Sequence, residues 1–162
     1  MVEEQQRQLC EDKLQSVFSE IRQRSTSPRR ILIEELSRLA ASQEGFTANE
    51  LWQRLRMVDA SIGRATVFRA IHQLVDKGVL DCIDFSDGTR LYRVCGERMG
   101  DAHQHHHHLA CNICHRIIDF HFCLPKEELE RIGKSEDFQI ESHSLTIYGI
   151  CQKCRNSPRK EQ

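Results

Sequence analysis

Two Cys-x-x-Cys pairs, Cys111-Asn-Ile-Cys114 and Cys151-Gln-Lys-Cys154, are separated by 36 residues in a chain of 162. Four thiolates paired in this way give Zn(II) the all-sulfur tetrahedral set of a closed structural site, and tie the segment leading into Cys111 to the C-terminal end of the chain. A redox dithiol is the competing use of such a motif, but neither pair lies in a βαβ pattern of the thioredoxin kind. Just upstream runs His105-His106-His107-His108, leading directly into Leu109-Ala110-Cys111. On a strand these side chains alternate, so His106 and His108 point to one face and His105 and His107 to the other, and one stretch can serve two metal sites. Two imidazoles alone make a loose, open site, so each pair needs further donors. The candidates are Asp81, Cys95, Asp119, His121, Cys123, Glu127, Glu128 and His143, and spacing does not choose among them. Cys10 and Cys82 read as packing residues of a helix and a strand.

The elements that must position these groups fall into two regions. From about Glu4 to Arg24, Leu9, Leu14, Val17, Phe18 and Ile21 gather on one face of an amphipathic leading helix. Ser27-Pro28 opens a second helix, with Leu32, Leu36 and Leu39 inward. Thr47 and Glu50 form a capping box for a short third helix with Leu51 and Leu55 inward. After the turn at Asp59 to Gly63, Val67, Ile71 and Leu74 supply the buried face of a fourth helix that stops at Gly78, while Arg64, Phe68, Arg69 and His72 lie opposite. Helix, short turn and a helix with a basic outer face is the pattern of a helix-turn-helix whose second member enters the DNA major groove. Leu80 to Phe85 and Arg90 to Val94, joined by Ser86-Asp87-Gly88-Thr89, add a two-stranded hairpin and so make a winged helix.

A polar linker at 96–104 leads to a second domain at 105–155, with a tail at 156–162. Strands are predicted at His105 to Cys111, Ile117 to Phe122 and Phe138 to Ile147, with a helix at Lys126 to Gly133. About 50 residues is marginal for an unaided core, so this domain is expected to need a metal or a partner subunit. The fold class is therefore α+β, with an N-terminal winged helix-turn-helix domain over 1–95 and a small C-terminal α/β domain.

Hydrophobic residues make up 39% and charged residues 29%, which excludes a disordered chain, and no apolar stretch approaches a membrane span. The charged N-terminus lacks the apolar core of a secretory signal, so a cytoplasmic protein is expected. Formal net charge is −1, yet residues 21–80 carry ten Lys and Arg against six acids. The positive charge is thus concentrated where DNA would be met.

Gly63-Arg-Ala-Thr-Val-Phe-Arg69, His106-His-His-Leu-Ala-Cys-Asn-Ile-Cys114 and His143-Ser-Leu-Thr-Ile-Tyr-Gly-Ile-Cys-Gln-Lys-Cys154, in this order, resemble the ferric uptake regulator family over about residues 14 to 155. The resemblance implies a homodimeric, metal-dependent transcription regulator that binds double-stranded operator DNA, with 105–155 as the dimerisation domain and Arg29, Arg64, Thr66, Phe68 and Arg69 as DNA contacts. Iron and peroxide sensors of the family typically take a histidine where this chain has Phe46 and an acid where it has Arg93. Leu91-Tyr-Arg-Val-Cys95 instead resembles the zinc-uptake regulators, which implies a regulatory site of Asp81, Cys95, His106 and His108. A thiolate among imidazole and carboxylate ligands favours Zn(II) over Fe(II) or Mn(II). A third site of His105, His107, Glu128 and His143 is likewise implied, with Glu127 as the neighbouring choice. The expected activity is zinc-dependent repression of zinc-uptake genes, with Zn(II) in both structural and regulatory roles. An iron- or peroxide-responsive regulator using His106, His108 and Asp119 with Fe(II) or Mn(II) is the alternative. A zinc-dependent enzyme is the remote one, since no activated nucleophile stands beside a base.

Overall fold

The computed structural model describes residues 12, 14–19, 27–42, 44–95 and 107–156. The chain divides into two compact units, Met1–His103 and Gln104–Gln162. The predicted linker, His105, His106, Cys10 and most of the leading helix lie outside the described residues, although 14–19 are helical.

In the first unit, helices α1 (Ser27–Ser42), α2 (Ala48–Val58) and α3 (Arg64–Asp76) precede strands β1 (Leu80–Asp84) and β2 (Arg90–Val94). Each boundary has a local cause. The Thr47 hydroxyl accepts the Glu50 N–H at 3.1 Å while the Thr47 N–H donates to the Glu50 carboxylate at 2.7 Å, which completes the expected capping box of α2. α3 ends in a Schellman motif: the Gly78 N–H bonds to the Val75 carbonyl and the Val79 N–H to the Leu74 carbonyl, both at 2.8 Å. Gly78 takes φ +65°, a conformation that costs any residue with a Cβ. The chain then reverses directly into the wing.

β1 and β2 pair antiparallel from Leu80↔Val94 to Asp84↔Arg90, and an Arg90–Asp84 ion pair sits beside the turn. Phe46, just before α2, adds a bridge to the outer side of β2, with backbone bonds of 2.9 and 2.7 Å to Tyr92. β1 is left as the open edge, and Cys82 on it is exposed rather than packed, contrary to the sequence expectation. One core joins all of these elements. Leu14, Phe18, Leu36, Leu39, Phe46, Leu51, Leu55, Ile71 and Leu74 are each at most 1% exposed within it. Glu35, also buried, is neutralised by Arg38 on its own helix and by Arg54 of α2 at 3.4 Å.

The second unit is a three-stranded sheet with order β4-β3-β5. Central β3 (His107–Cys111) pairs antiparallel with β4 (Ile117–Phe120) and parallel with β5 (Thr146–Gly149), and α4 (Lys126–Ser135) lies in the connection between β4 and β5. A short helix, α5 (Gln152–Asn156), follows β5. The strand predicted at Phe138 to Ile147 is corrected to Thr146–Gly149, and 138–145 carry no regular structure. The described part of β3 pairs with β5 from His108 to Cys111, the His108 N–H also bonds to the Leu145 carbonyl at 3.0 Å, and residues 138–144 serve as the return from α4. That return passes so close to α4 that a Cβ on Gly133 would lie 2.6 Å from the Phe138 carbonyl oxygen. Among the described residues of this unit only His107, His108, Ala110, Cys111 and Gly133 are buried. Ile118, Leu109 and Ile147 form an apolar row across the sheet that is 41 to 45% exposed.

Candidate metal centres

Cys111 ends β3, Cys114 lies in the turn after it, Cys151 immediately precedes α5 and Cys154 lies within it. β3 and β5 run parallel, with Cys111 opposite Gly149, so the two Cys-x-x-Cys pairs leave the sheet at the same end. All four sulfurs lie within 4.8 Å of one another. Sγ of Cys114 and Cys151 are 3.7 Å apart. That is far beyond a disulfide at about 2.05 Å and close to the edge of a tetrahedron with Zn–S bonds of about 2.3 Å, about 3.8 Å.

The electrostatics of the cluster call for a cation. Burial alone would push the Cys111 thiol up, but the backbone N–H groups of Cys151, Cys114 and Ile113 point at its sulfur and bring it down to about 6. The Cys151 thiol is likewise lowered, by a backbone hydrogen bond from Cys154. The Cys114 thiol is raised by burial, and that of Cys154 is pushed up to about 12, chiefly by its interaction with Cys114. Two sulfurs ionise readily and the others resist, held back by burial at Cys114 and by the hydrogen bond with Cys114 at Cys154. A dication removes that resistance. The donor set, the spacing and the charge all fit Zn(II).

A second cluster joins His107, Cys123 and His143, whose donor atoms also lie within 4.8 Å of one another. His107 is wholly buried at the start of β3, and its Nδ1 accepts the Leu145 N–H at 3.2 Å. Cys123 follows β4, and its Sγ is 2.9 Å from His143 Nε2. The His107 ring packs between Phe120 and His143, at centroid distances of 5.5 and 5.2 Å. Two residues of the expected third site, His107 and His143, are therefore brought together. Glu128 is not in the cluster: its carboxylate takes two hydrogen bonds from Arg131, at 3.0 and 2.6 Å. Glu127 is exposed on α4. Cys123 was one of several candidate donors in the sequence, with no motif to single it out, since its partners come from 16 residues before and 20 after.

His108 points to the other face of β3, as alternation requires, and its Nδ1 is 3.1 Å from an Asp119 carboxylate oxygen on β4. In the wing, the register sets Asp81 opposite Arg93, and the ladder continues through the Cys95 N–H to the Val79 carbonyl at 3.0 Å. Asp81, Arg93 and Cys95 consequently share one face, with Asp81 and Cys95 as diagonal neighbours. Cys95 and Arg93 are buried, while Asp81 is half-buried. Phe46, at the position of the iron sensors' histidine, is a core residue at 0% exposure.

The outer face of α3 exposes Arg64, Thr66, Arg69 and His72. The Arg64 guanidinium lies over the Phe68 ring at 5.0 Å and near the Trp52 ring at 5.9 Å, so two aromatic faces hold it at the N-terminal end of the helix. Arg69 Nε donates to the Ala65 carbonyl at 3.3 Å. Arg29 stands apart from this helix. It packs over Phe18 at 5.3 Å and donates to the Gln15 carbonyl at 3.0 Å, bracing the helical segment 14–19 against α1.

Residues 20–148 match the model of the ferric uptake regulator family. The chain belongs to that family. It is 32% identical over 125 residues to the ferric uptake regulation protein of Bacillus subtilis (strain 168), a match that covers 77% of this chain and 78% of that one. The solved ferric uptake regulator of Vibrio cholerae superposes with a TM-score of 0.59 at 26% identity, over 86% of this chain and 98% of that one. A zinc uptake regulator complexed with zinc and DNA shares the fold, with a TM-score of 0.61 at 17% identity, over 89% and 93% of the two chains. As a member of the ferric uptake regulator family, the protein is a metal-responsive, DNA-binding transcription regulator and not an enzyme. Among the described residues no helix is long and apolar enough to cross a membrane.

Proposed function

We propose that the protein is a zinc-responsive repressor of zinc-uptake genes, acting in the cytoplasm as a homodimer on double-stranded operator DNA. Zn(II) held by Cys111, Cys114, Cys151 and Cys154 is structural, and Zn(II) held by Asp81, Cys95, His106 and His108 is regulatory. The observation that carries the reading is the shared wing face. It offers one thiolate and one carboxylate, Cys95 and Asp81, and it has the Arg93 cation where an iron sensor has an acid. Thiolate with imidazole and carboxylate suits Zn(II) better than Fe(II) or Mn(II). Ligands drawn from the wing and from the histidine strand make zinc occupancy dependent on the conformation that joins them, and the conformer with the higher operator affinity is the one zinc favours. The apolar row Ile118, Leu109 and Ile147 supports dimerisation, because an exposed apolar patch on so small a unit is costly without a covering partner.

The test is Cys95→Ser, measured on DNA selected from a random pool by the zinc-loaded wild type. Zinc-dependent binding is expected to fall steeply while the thermal transitions stay in place. A wild-type zinc response in the variant refutes the reading.

A second reading, an iron- or peroxide-responsive regulator, is favoured by one contact, His108 to Asp119 at 3.1 Å. A carboxylate at that distance serves Fe(II) or Mn(II) as a direct ligand, or serves Zn(II) by fixing the tautomer of His108 from behind. Cobalt(II) absorption separates the two: a thiolate charge-transfer band that is weaker in Cys95→Ser than in the wild type supports zinc, and a thiolate band of equal intensity in both proteins supports iron.

A further inference from the structure

We infer that Cys123 replaces the expected carboxylate in the third site, so that His107, Cys123 and His143 form a thiolate-containing site for a borderline-soft divalent cation, with Zn(II) as its ligand. This deepens the proposed function, on which it rests for the metal class, while the site itself stands on its own geometry.

Three separate parts of the second unit converge here: the first residue of β3, the segment that follows β4, and the return from α4. Their donor atoms lie within 4.8 Å of one another, so small adjustments bring all three to the separations of about 3.5 Å that donors keep on one tetrahedral ion with bonds of about 2.0 to 2.3 Å. Cys123 Sγ already approaches His143 Nε2 to 2.9 Å. His107 is wholly enclosed while Cys123 and His143 are half-buried, so the imidazole is fixed and the thiol side gives a path of entry.

Two of the three acids of α4 are turned to other work. Glu128 is gripped by Arg131, and Glu130 is paired with Lys126 at 3.6 Å. Releasing Glu128 to a metal would break two charge-assisted hydrogen bonds, whereas Cys123 is already in place. The chemical outcome differs as well. Two imidazoles with a carboxylate discriminate weakly among divalent ions, whereas two imidazoles with a thiolate select Zn(II) over Fe(II) and Mn(II).

The probe is cobalt(II), added to full-length Cys95→Ser protein whose zinc content shows the four-cysteine site to be filled. In that background the regulatory site contributes no sulfur. Added cobalt is expected to give a thiolate-to-metal charge-transfer band with tetrahedral visible bands, both abolished by adding Cys123→Ser and both kept when Glu128→Gln is added instead. Absence of the band from Cys95→Ser, or its survival in the Cys123→Ser double variant, overturns the inference. Should the double variant fail to fold, alkylation decides: zinc beyond the structural equivalent is expected to slow iodoacetamide labelling of Cys123 in Cys95→Ser about tenfold or more, because a metal-bound thiolate is a poor nucleophile. An unchanged labelling rate overturns the inference. Neither readout depends on DNA, so an undiminished zinc response of Cys95→Ser refutes zinc sensing at Cys95 and leaves the result at Cys123 standing.

Discussion

Replacing Cys114 by Ser separates the stability of the two units. Cys114 is exposed, so the change removes a metal ligand and almost no packing. Within one protomer the second unit has little core of its own: the only apolar side chains buried among its described residues are Ala110 and Cys111, at 3 and 4% exposure. A fully buried aliphatic side chain contributes about 1.5 to 3 kcal/mol, whereas a structural zinc contributes about 10 to 16 kcal/mol of folding free energy near neutral pH. Whole domains are stable by only about 5 to 15 kcal/mol, so loss of the zinc exceeds any reserve this unit can have. The first unit, with its own core from Leu14 to Val94, is untouched. The expected protein therefore lacks the structural zinc, is cleaved by protease after residue 95, and keeps most of its helical circular dichroism. That last outcome follows from helix lengths of 16, 11 and 13 residues in the first unit against 10 and 5 in the second. Calorimetry should show the first unit's transition alone. A variant without the structural zinc whose second unit still melts cooperatively at the wild-type temperature would refute the reasoning, and so would one in which both units unfold together.

Arg64→Ala is expected to weaken binding to the selected DNA by about tenfold to a hundredfold, the scale of one lost bidentate base contact of about 1 to 3 kcal/mol. Phe68→Ala, which removes only the platform beneath Arg64, should cost a few-fold, in line with a cation–π contact of about 0.5 to 1 kcal/mol, and Phe68→Tyr should restore it. Fluorescence anisotropy at fixed salt measures all three. Equal losses for Phe68→Ala and Arg64→Ala would mean that the ring itself touches DNA. Gly133→Ala puts a methyl 2.6 Å from the Phe138 carbonyl oxygen and should destabilise the second unit by about 1 to 3 kcal/mol, lowering its calorimetric transition while leaving that of the first unit unchanged.

Features of the fold with local causes were legible in the sequence. Thr47 with Glu50 announces the start of α2, Gly78 its left-handed stop after α3, and Ser86-Asp87-Gly88-Thr89 the wing turn, because caps and turns are written within four or five residues of one another. The strand at Thr146–Gly149 was displaced in the sequence reading because Phe138 and Ile140 alternate with polar residues as a strand does. The pairing runs from His108↔Thr146 to Cys111↔Gly149, and that register depends on another part of the chain. The four-cysteine centre was legible because each half is a local motif. Cys123 was not, because its two partners reach it only through the sheet and the return from α4. Glu128 lies outside this cluster, its carboxylate bonded to Arg131 at i to i+3 spacing on the helix.

One histidine strand can serve two kinds of site. β3 is short and central, and alternation sends His107 to one face and His108 to the other. On the His107 side, Leu145 binds Nδ1 and Cys123 and His143 supply the remaining donors. On the His108 side, the neighbour directly across the sheet is Asp119, whose carboxylate at Nδ1 leaves Nε2 as the donor to any metal. A carboxylate behind an imidazole strengthens it as a ligand without choosing the ion. On that face the choice of ion falls to the other donors that His108 is given, and in the zinc-responsive reading proposed above these include the Cys95 thiolate in place of a second carboxylate.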